Sequence, residues 1–171
     1  MSDEETSSAN ERTARGILFQ ERGLLSEFQF IVLTPNTTDS IVPPITLTVS
    51  TPPFTLAELP PLHIDDVTDR VWLSATVTFA AAAADTTVEY RIYRDLPITG
   101  PLIFNALDFQ ATTAAFSTTS FSHVDFPVIT EPGQQEVHYF LVAVVLGGTA
   151  NFSGPLTFTG AEIERNRICD T

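Results

Sequence analysis

The sequence predicts an all-β fold, a two-sheet sandwich or barrel of about eight antiparallel strands. Three observations predict it. Val71, Leu73, Ala75, Val77 and Phe79 alternate with Trp72, Ser74, Thr76 and Thr78, and a period of two marks a strand with one buried face. Residues 137–146, VHYFLVAVVL, are apolar on both faces, as a strand in the middle of a core must be. Turns rich in Pro and Gly separate such stretches at close spacing, and no segment carries a convincing helical period.

Taken in order, residues 1–16 hold no sizeable apolar side chain after Met1, which predicts a flexible arm. Residues 17–33 follow as a strand region. Ile17, Leu18 and Phe19 form a short apolar piece ahead of Gly23. Phe28, Phe30 and Val32 then face one way and Ile31 and Leu33 the other, which predicts a strand buried on both faces towards its end. Ile45, Leu47 and Val49 alternate with Thr46, Thr48 and Ser50, a further short strand. Prolines at 43, 44, 52, 53, 60 and 61 bracket it and make residues 54–62 an irregular loop. Residues 71–95 predict a hairpin, its second arm carrying Val88, Tyr90 and Ile92 against Glu89, Arg91 and Tyr93, with the small residues 80–87 as a loose connection. A short strand follows at 102–104, and residues 106–115 carry little signal. Residues 116–128 are extended, and the change of face between Phe121 and Val124 predicts a bulge or bend. The both-face-apolar run at 137–146 comes next, then strands at 150–152 and 156–164. Residues 165–171 are a polar tail. The domain therefore spans 17–164, between the arm and the tail.

Composition narrows the function. The chain has 171 residues and a net charge of −13 at pH 7, with a pI near 4.3. A nucleic-acid partner calls for a basic face, and an anionic membrane surface does too; neither partner is expected. All eight basic residues are arginines: Arg12, Arg15, Arg22, Arg70, Arg91, Arg94, Arg165 and Arg167. With no lysine there is no Schiff-base or P-loop chemistry. The N-terminal residues lack the apolar core of a secretory signal, and no apolar run reaches the roughly 18 residues of a membrane span. Synthesis in a cytoplasm is expected, with the final location at a cell or spore surface. The one cysteine, Cys169, excludes an internal disulfide framework; it is either an incidental terminal thiol or the donor of a disulfide to another subunit.

Several clusters invite chemistry. His63, Asp65, Asp66 and Asp69 make HIDDVTD, the densest group of oxygen ligands. It suits a hard cation such as calcium or, lacking the EF-hand spacing and glycine, a solvated acidic turn. Ser122, His123 and Asp125 bring together the residue types of a nucleophilic triad, but no Gly-x-Ser-x-Gly elbow accompanies them. His63, His123 and His138 are too far apart in sequence for a local metal motif. Asn36 and Asn151 open glycosylation sequons, with no secretory signal to expose them to glycosylation. Trp72, Tyr90 and Tyr93 offer an aromatic platform for sugars, or else core or interface packing. No catalytic residue, bound metal or cofactor is expected from these patterns.

The segments VWLSATVTF, VEYRIYRD, FSHVDFP, VHYFLVAVV and GPLTFTGAEIE, spread over residues 71–163, resemble the C1q/TNF-like jelly rolls of bacterial endospore-surface proteins. The resemblance implies a jelly roll and a non-enzymatic, self-associating coat or appendage subunit, trimeric or fibrous. The Gly-X-Y repeat of some such proteins is absent. A glycan- or receptor-binding jelly roll, or a viral or phage capsid or fibre protein, is the alternative. In the leading reading the partner is the chain itself, with Ile17, Leu18 and Phe19 docking on a neighbour by strand addition.

Overall fold

The computed structural model describes residues 24–32, 36, 45–113, 116–128 and 135–164. The arm at 1–16, the docking residues Ile17, Leu18 and Phe19, the tail at 165–171 and Cys169 lie outside the described residues. Eleven strands run through the described residues: β1 (Leu24–Val32), β2 (Ile45–Thr48), β3 (Phe54–Glu58), β4 (Leu62–Ile64), β5 (Arg70–Ala81), β6 (Thr86–Arg94), β7 (Leu102–Gln110), β8 (Phe116–Asp125), β9 (Gln135–Val137), β10 (Tyr139–Gly147) and β11 (Thr149–Glu164). There is no helix among them, and so none long and apolar enough to cross a membrane.

One sheet has the order β1-β11-β5-β8, with β2 also paired to β11; the second has the order β3-β10-β6-β7; β4 and β9 pair separately. Setting β2, β4 and β9 aside leaves a nested pattern of eight strands. The first pairs with the last (β1 and β11), the second with the seventh (β3 and β10), the third with the sixth (β5 and β8), and the fourth with the fifth (β6 and β7). One long antiparallel ribbon wound over itself produces that nesting, and the result is a jelly roll. Every pairing is antiparallel.

The core lies between the two large sheets. Val71, Leu73, Val77 and Phe79 of β5 and Phe152 and Phe158 of β11 face Val88, Tyr90 and Ile92 of β6 and Leu141 and Val145 of β10, all buried. Leu62, Ile64 and Val137 of the small β4–β9 pair extend this core at one end. As the both-face-apolar run requires, Tyr139, Phe140, Leu141, Val142 and Ala143 of β10 are all buried.

Several expectations are corrected. β5 and β6 are strands, but not a hairpin: they belong to different sheets. The connection crosses the core edge as an arch, turned by Asp85 at φ +53° and closed by Thr86 Oγ1 donating to the Ala83 carbonyl at 2.7 Å. Alternation reports which side of a strand is buried, and both arms of an arch bury one side as a hairpin does. Residues 54–62 are not a loop but β3 and part of β4, since the prolines fall before and between the strands. β7 runs on through residues 106–110, where signal was low. β8 keeps an unbroken register against β5, so there is no bulge at Phe121. The two last strands are one, β11, with the irregularity between Ser153 and Leu156. β1 is not buried on both faces: Phe28, Phe30, Ile31 and Val32 are exposed, because among the described residues β1 pairs only with β11 and forms a sheet edge.

Candidate functional site

Strand register decides which side chains share the outer face of the first sheet. Val71, Leu73 and Ala75 point into the core, so Trp72, Ser74 and Thr76 point out. Pairing extends each into a row: Phe28, Ala161, Trp72 and Val124; then Phe30, Thr159, Ser74 and Ser122; then Val32, Thr157, Thr76 and Ser120. None of these twelve positions is charged, in a chain that carries 21 acidic residues. Phe28 is 51% exposed, Phe30 56% and Trp72 45%. The Phe28 and Phe30 rings lie 6.0 Å apart, and the Thr76 and Ser120 hydroxyls share a hydrogen bond of 2.9 Å. At the corner of the face the Arg70 guanidinium sits 4.8 Å from the ring centre of exposed Phe126. The face is apolar along β1 and in its first row, and hydroxyl-lined elsewhere.

The outer face of the second sheet is different. Glu89 accepts from Arg91 Nη2 at 2.6 Å and from Asn105 Nδ2 at 3.0 Å. The Arg91 bond is the main cause holding the Glu89 carboxyl below the usual carboxylate range, against the opposing effect of burial. This network lies beside buried Tyr93, Phe140 and Val142. The three aromatic candidates are therefore not brought together. Trp72 is on one outer face, Tyr93 is on the opposite one, and Tyr90 is fully buried between them with its hydroxyl pushed up by desolvation.

A second feature is acidic. The turn between β4 and β5 is closed by Asp66, whose Oδ1 accepts from the Thr68 backbone N at 2.9 Å and from Thr68 Oγ1 at 2.8 Å. Asp69 Oδ2 accepts from the Asp66 N at 3.2 Å. Of the predicted trio, Asp65 and Asp69 come together and the third member of the group is Glu162 of β11, with one carboxylate oxygen from each within 4.8 Å of the others. Asp69 and Glu162 are buried. Ser26, at the irregularity of β1, donates its hydroxyl to Glu162 Oε2. Beside it lies an open cleft of about 410 Å³ lined by Ser26, Glu27, His63, Asp65, Glu162 and Glu164. Glu27 accepts from the His63 backbone N at 2.7 Å. Burial alone would raise the Glu27 carboxyl, but bonds from Gln29 and His63 outweigh it and hold it low. The Glu162 carboxyl is pushed up, first by desolvation and then by Asp69, Asp65 and Glu164, with the Ser26 bond opposing.

Sequence reasoning missed Glu162, 93 positions beyond Asp69. Its signal was parity: Leu156, Phe158, Gly160 and Glu162 share the inward side of β11, and a carboxylate there breaks the apolar pattern.

The triad residues do not assemble. Ser122 and His123 are successive on β8 and face opposite ways; the His123 ring packs 5.6 Å from Phe104. Asp125 is buried and accepts from Arg94 Nη1 at 2.8 Å and from the Tyr139 hydroxyl at 2.9 Å. His138 stacks with Phe140, and His63 lies 3.4 Å from Glu136. Both sequon amides are engaged: Asn36 Oδ1 accepts from the Leu156 N at 2.7 Å, and Asn151 Oδ1 from Thr46 Oγ1 at 2.8 Å.

No protein-family model matches the chain, and no curated protein sequence does. Among solved structures, T=1 particles derived from infectious bursal disease virus are similar with a TM-score of 0.46 at 15% identity, over 82% of this chain and 37% of theirs. The Gt strain of that virus gives 0.44 at 14%, over 80% and 32%, and the VP2 subviral particle 0.42 at 16%, over 82% and 38%. The chain thus spans about a third of the length of these capsid proteins, and similarity at this level assigns it no activity.

Proposed function

We propose that the chain is a non-enzymatic structural subunit that packs against copies of itself through the outer face of the first sheet, building a surface layer or fibre. The observation that carries this reading is the charge-free face: twelve contiguous positions without one ionic side chain, with Phe28, Phe30 and Trp72 about half exposed. Depletion of charge and enrichment in aromatics mark the core of a protein interface. A soluble monomer has no need of such a patch. By strand spacing the three rows cover roughly 14 by 14 Å, the centre of an interface rather than its full ~800 Å² per partner. The edge of β1, which pairs with no strand beyond β11 among the described residues, supplies more. It is nine residues long and carries exposed Leu25, Phe28, Phe30, Ile31 and Val32; Glu27 and the irregularity between Leu25 and Phe28 blunt its start, while residues 28–32 carry no charge and no proline. In the same reading Ile17, Leu18 and Phe19 extend this edge onto a neighbour, Cys169 locks the contact, and the assembly sits on a cell or spore surface.

Negative-stain microscopy of the full chain tests this. Filaments or layers are expected, and they should disperse in Phe30→Glu and Trp72→Ser variants that stay folded. Loss of residues 1–20 should shorten or abolish fibres. Closed shells would instead favour a capsid subunit. Dispersed single subunits at high concentration would contradict self-assembly altogether. A second reading has its own observation: Trp72 stands exposed beside Ser74 and Ser122, an aromatic next to hydroxyls, which suits a sugar ring. Glycan binding lost on Trp72→Ala, with assembly unchanged, would favour it.

A further inference from the structure

We infer that Asp65, Asp69 and Glu162 form a binding site for a divalent, oxygen-preferring cation of calcium's size, set where β1, β11 and the β4–β5 turn meet. The inference is independent of the assembly proposed above. Two observations carry it. The first is geometry: one oxygen from each carboxylate lies within 4.8 Å of the others. Three atoms so placed share a point at most about 2.8 Å from each, close to the 2.3–2.6 Å of calcium–oxygen bonds, so a single ion reaches all three after at most a small side-chain adjustment. Magnesium, at about 2.1 Å, spans only ~4.2 Å and would need the ligands to close in.

The second observation concerns one buried atom. Glu162 is 3% exposed. Its Oε2 is held by Ser26, while its Oε1 is buried with no hydrogen-bond partner among the described residues. A buried carboxylate oxygen left without a donor is costly. Here the two neighbouring carboxylates add repulsion instead of a donor. A cation at their centre removes both penalties. The remaining coordination has a source: besides one oxygen from each carboxylate, the second oxygen of Asp65 is at hand, and the cleft beside them, rimmed by Glu27 and Glu164, admits water. Calcium accepts such mixed, flexible shells of six to eight oxygens. The turn is already shaped for it, since Asp66 bonds Thr68 and Asp69 bonds the Asp66 N, fixing the loop before any ion arrives.

The test uses the full chain stripped with EDTA. Trp72, the single tryptophan, pairs with Ala161, next to Glu162, and so is placed to sensitise terbium bound at the site. Terbium luminescence excited through tryptophan should appear, and calcium should quench it by competition more effectively than magnesium. Calorimetry with calcium chloride should give one site per chain with a Kd of about 10⁻⁵ to 10⁻³ M. Calcium should raise Tm relative to EDTA. Glu162→Gln and, separately, Asp69→Asn should weaken calcium by about tenfold or more, whereas Glu136→Gln, which alters only the far side of His63, should not. Absence of heat and of any Tm shift up to ~10 mM calcium, beyond the weakest calcium modules, would overturn the site. So would unchanged affinity in a folded Glu162→Gln chain.

Discussion

Tyr139 shows how much a single hydroxyl does in this core. It donates to buried Asp125, which Arg94 also holds, so a carboxylate sits inside the sandwich with both donors in place. Tyr139→Phe keeps the ring and removes one donor; it should cost about 1–3 kcal/mol, read as a lower urea midpoint with unchanged m-value. Glu89 gives a pH dependence. Its folded pKa lies below the unfolded value because of Arg91, so its contribution is present above the ordinary carboxylate range and is lost as pH falls through the folded pKa. Glu89→Gln should flatten that acid limb of the Tm–pH curve, and an unchanged limb would contradict the assignment. Asp125 and Glu162 were visible in the sequence only as acids, because their meaning depends on strands distant in sequence. Inward parity on β11 was readable, but not which donor or carboxylate would meet it; on β8 the apolar Phe121 and Val124 lie on opposite faces and hid the parity.

At the scale of elements, alternation located β5 and β6 and the side each one buries, and the run apolar on both faces located β10. It left their partners open, which is why the β5–β6 arch passed for a hairpin. Nor did it separate an edge from an interior strand: β1 towards its end and β10 throughout are apolar on two faces, yet β10 has β3 and β6 on either side while β1 pairs, among the described residues, with β11 alone. Gly160 of β11 illustrates a constraint that no pattern announces. A Cβ there would lie 2.8 Å from Leu59 Cδ1 and 3.0 Å from Leu62 Cδ1, so the missing side chain lets the segment around β4 settle onto β11. Gly160→Ala should destabilise by about 1–3 kcal/mol through overpacking, and chemical denaturation would show it. A neutral effect would mean the two leucines move aside freely.

For the whole molecule, nesting makes the first described strand the partner of the last, and β11 sits at the centre of its sheet. Contacts so distant in sequence predict slow folding, in milliseconds to seconds rather than microseconds, which stopped-flow refolding would measure. The same winding exposes a broad uncharged sheet face on a molecule of net charge −13. Long-range repulsion between such subunits weakens as salt screens it, while apolar contact does not, so association should strengthen with salt. Sedimentation velocity of the full chain across concentration and salt tests this most directly. The expected result is mass action towards large species, stronger at 0.5 M than at 0.05 M salt by the screening argument, and abolished by Phe30→Glu. A single species of monomer mass at every concentration and salt would contradict it.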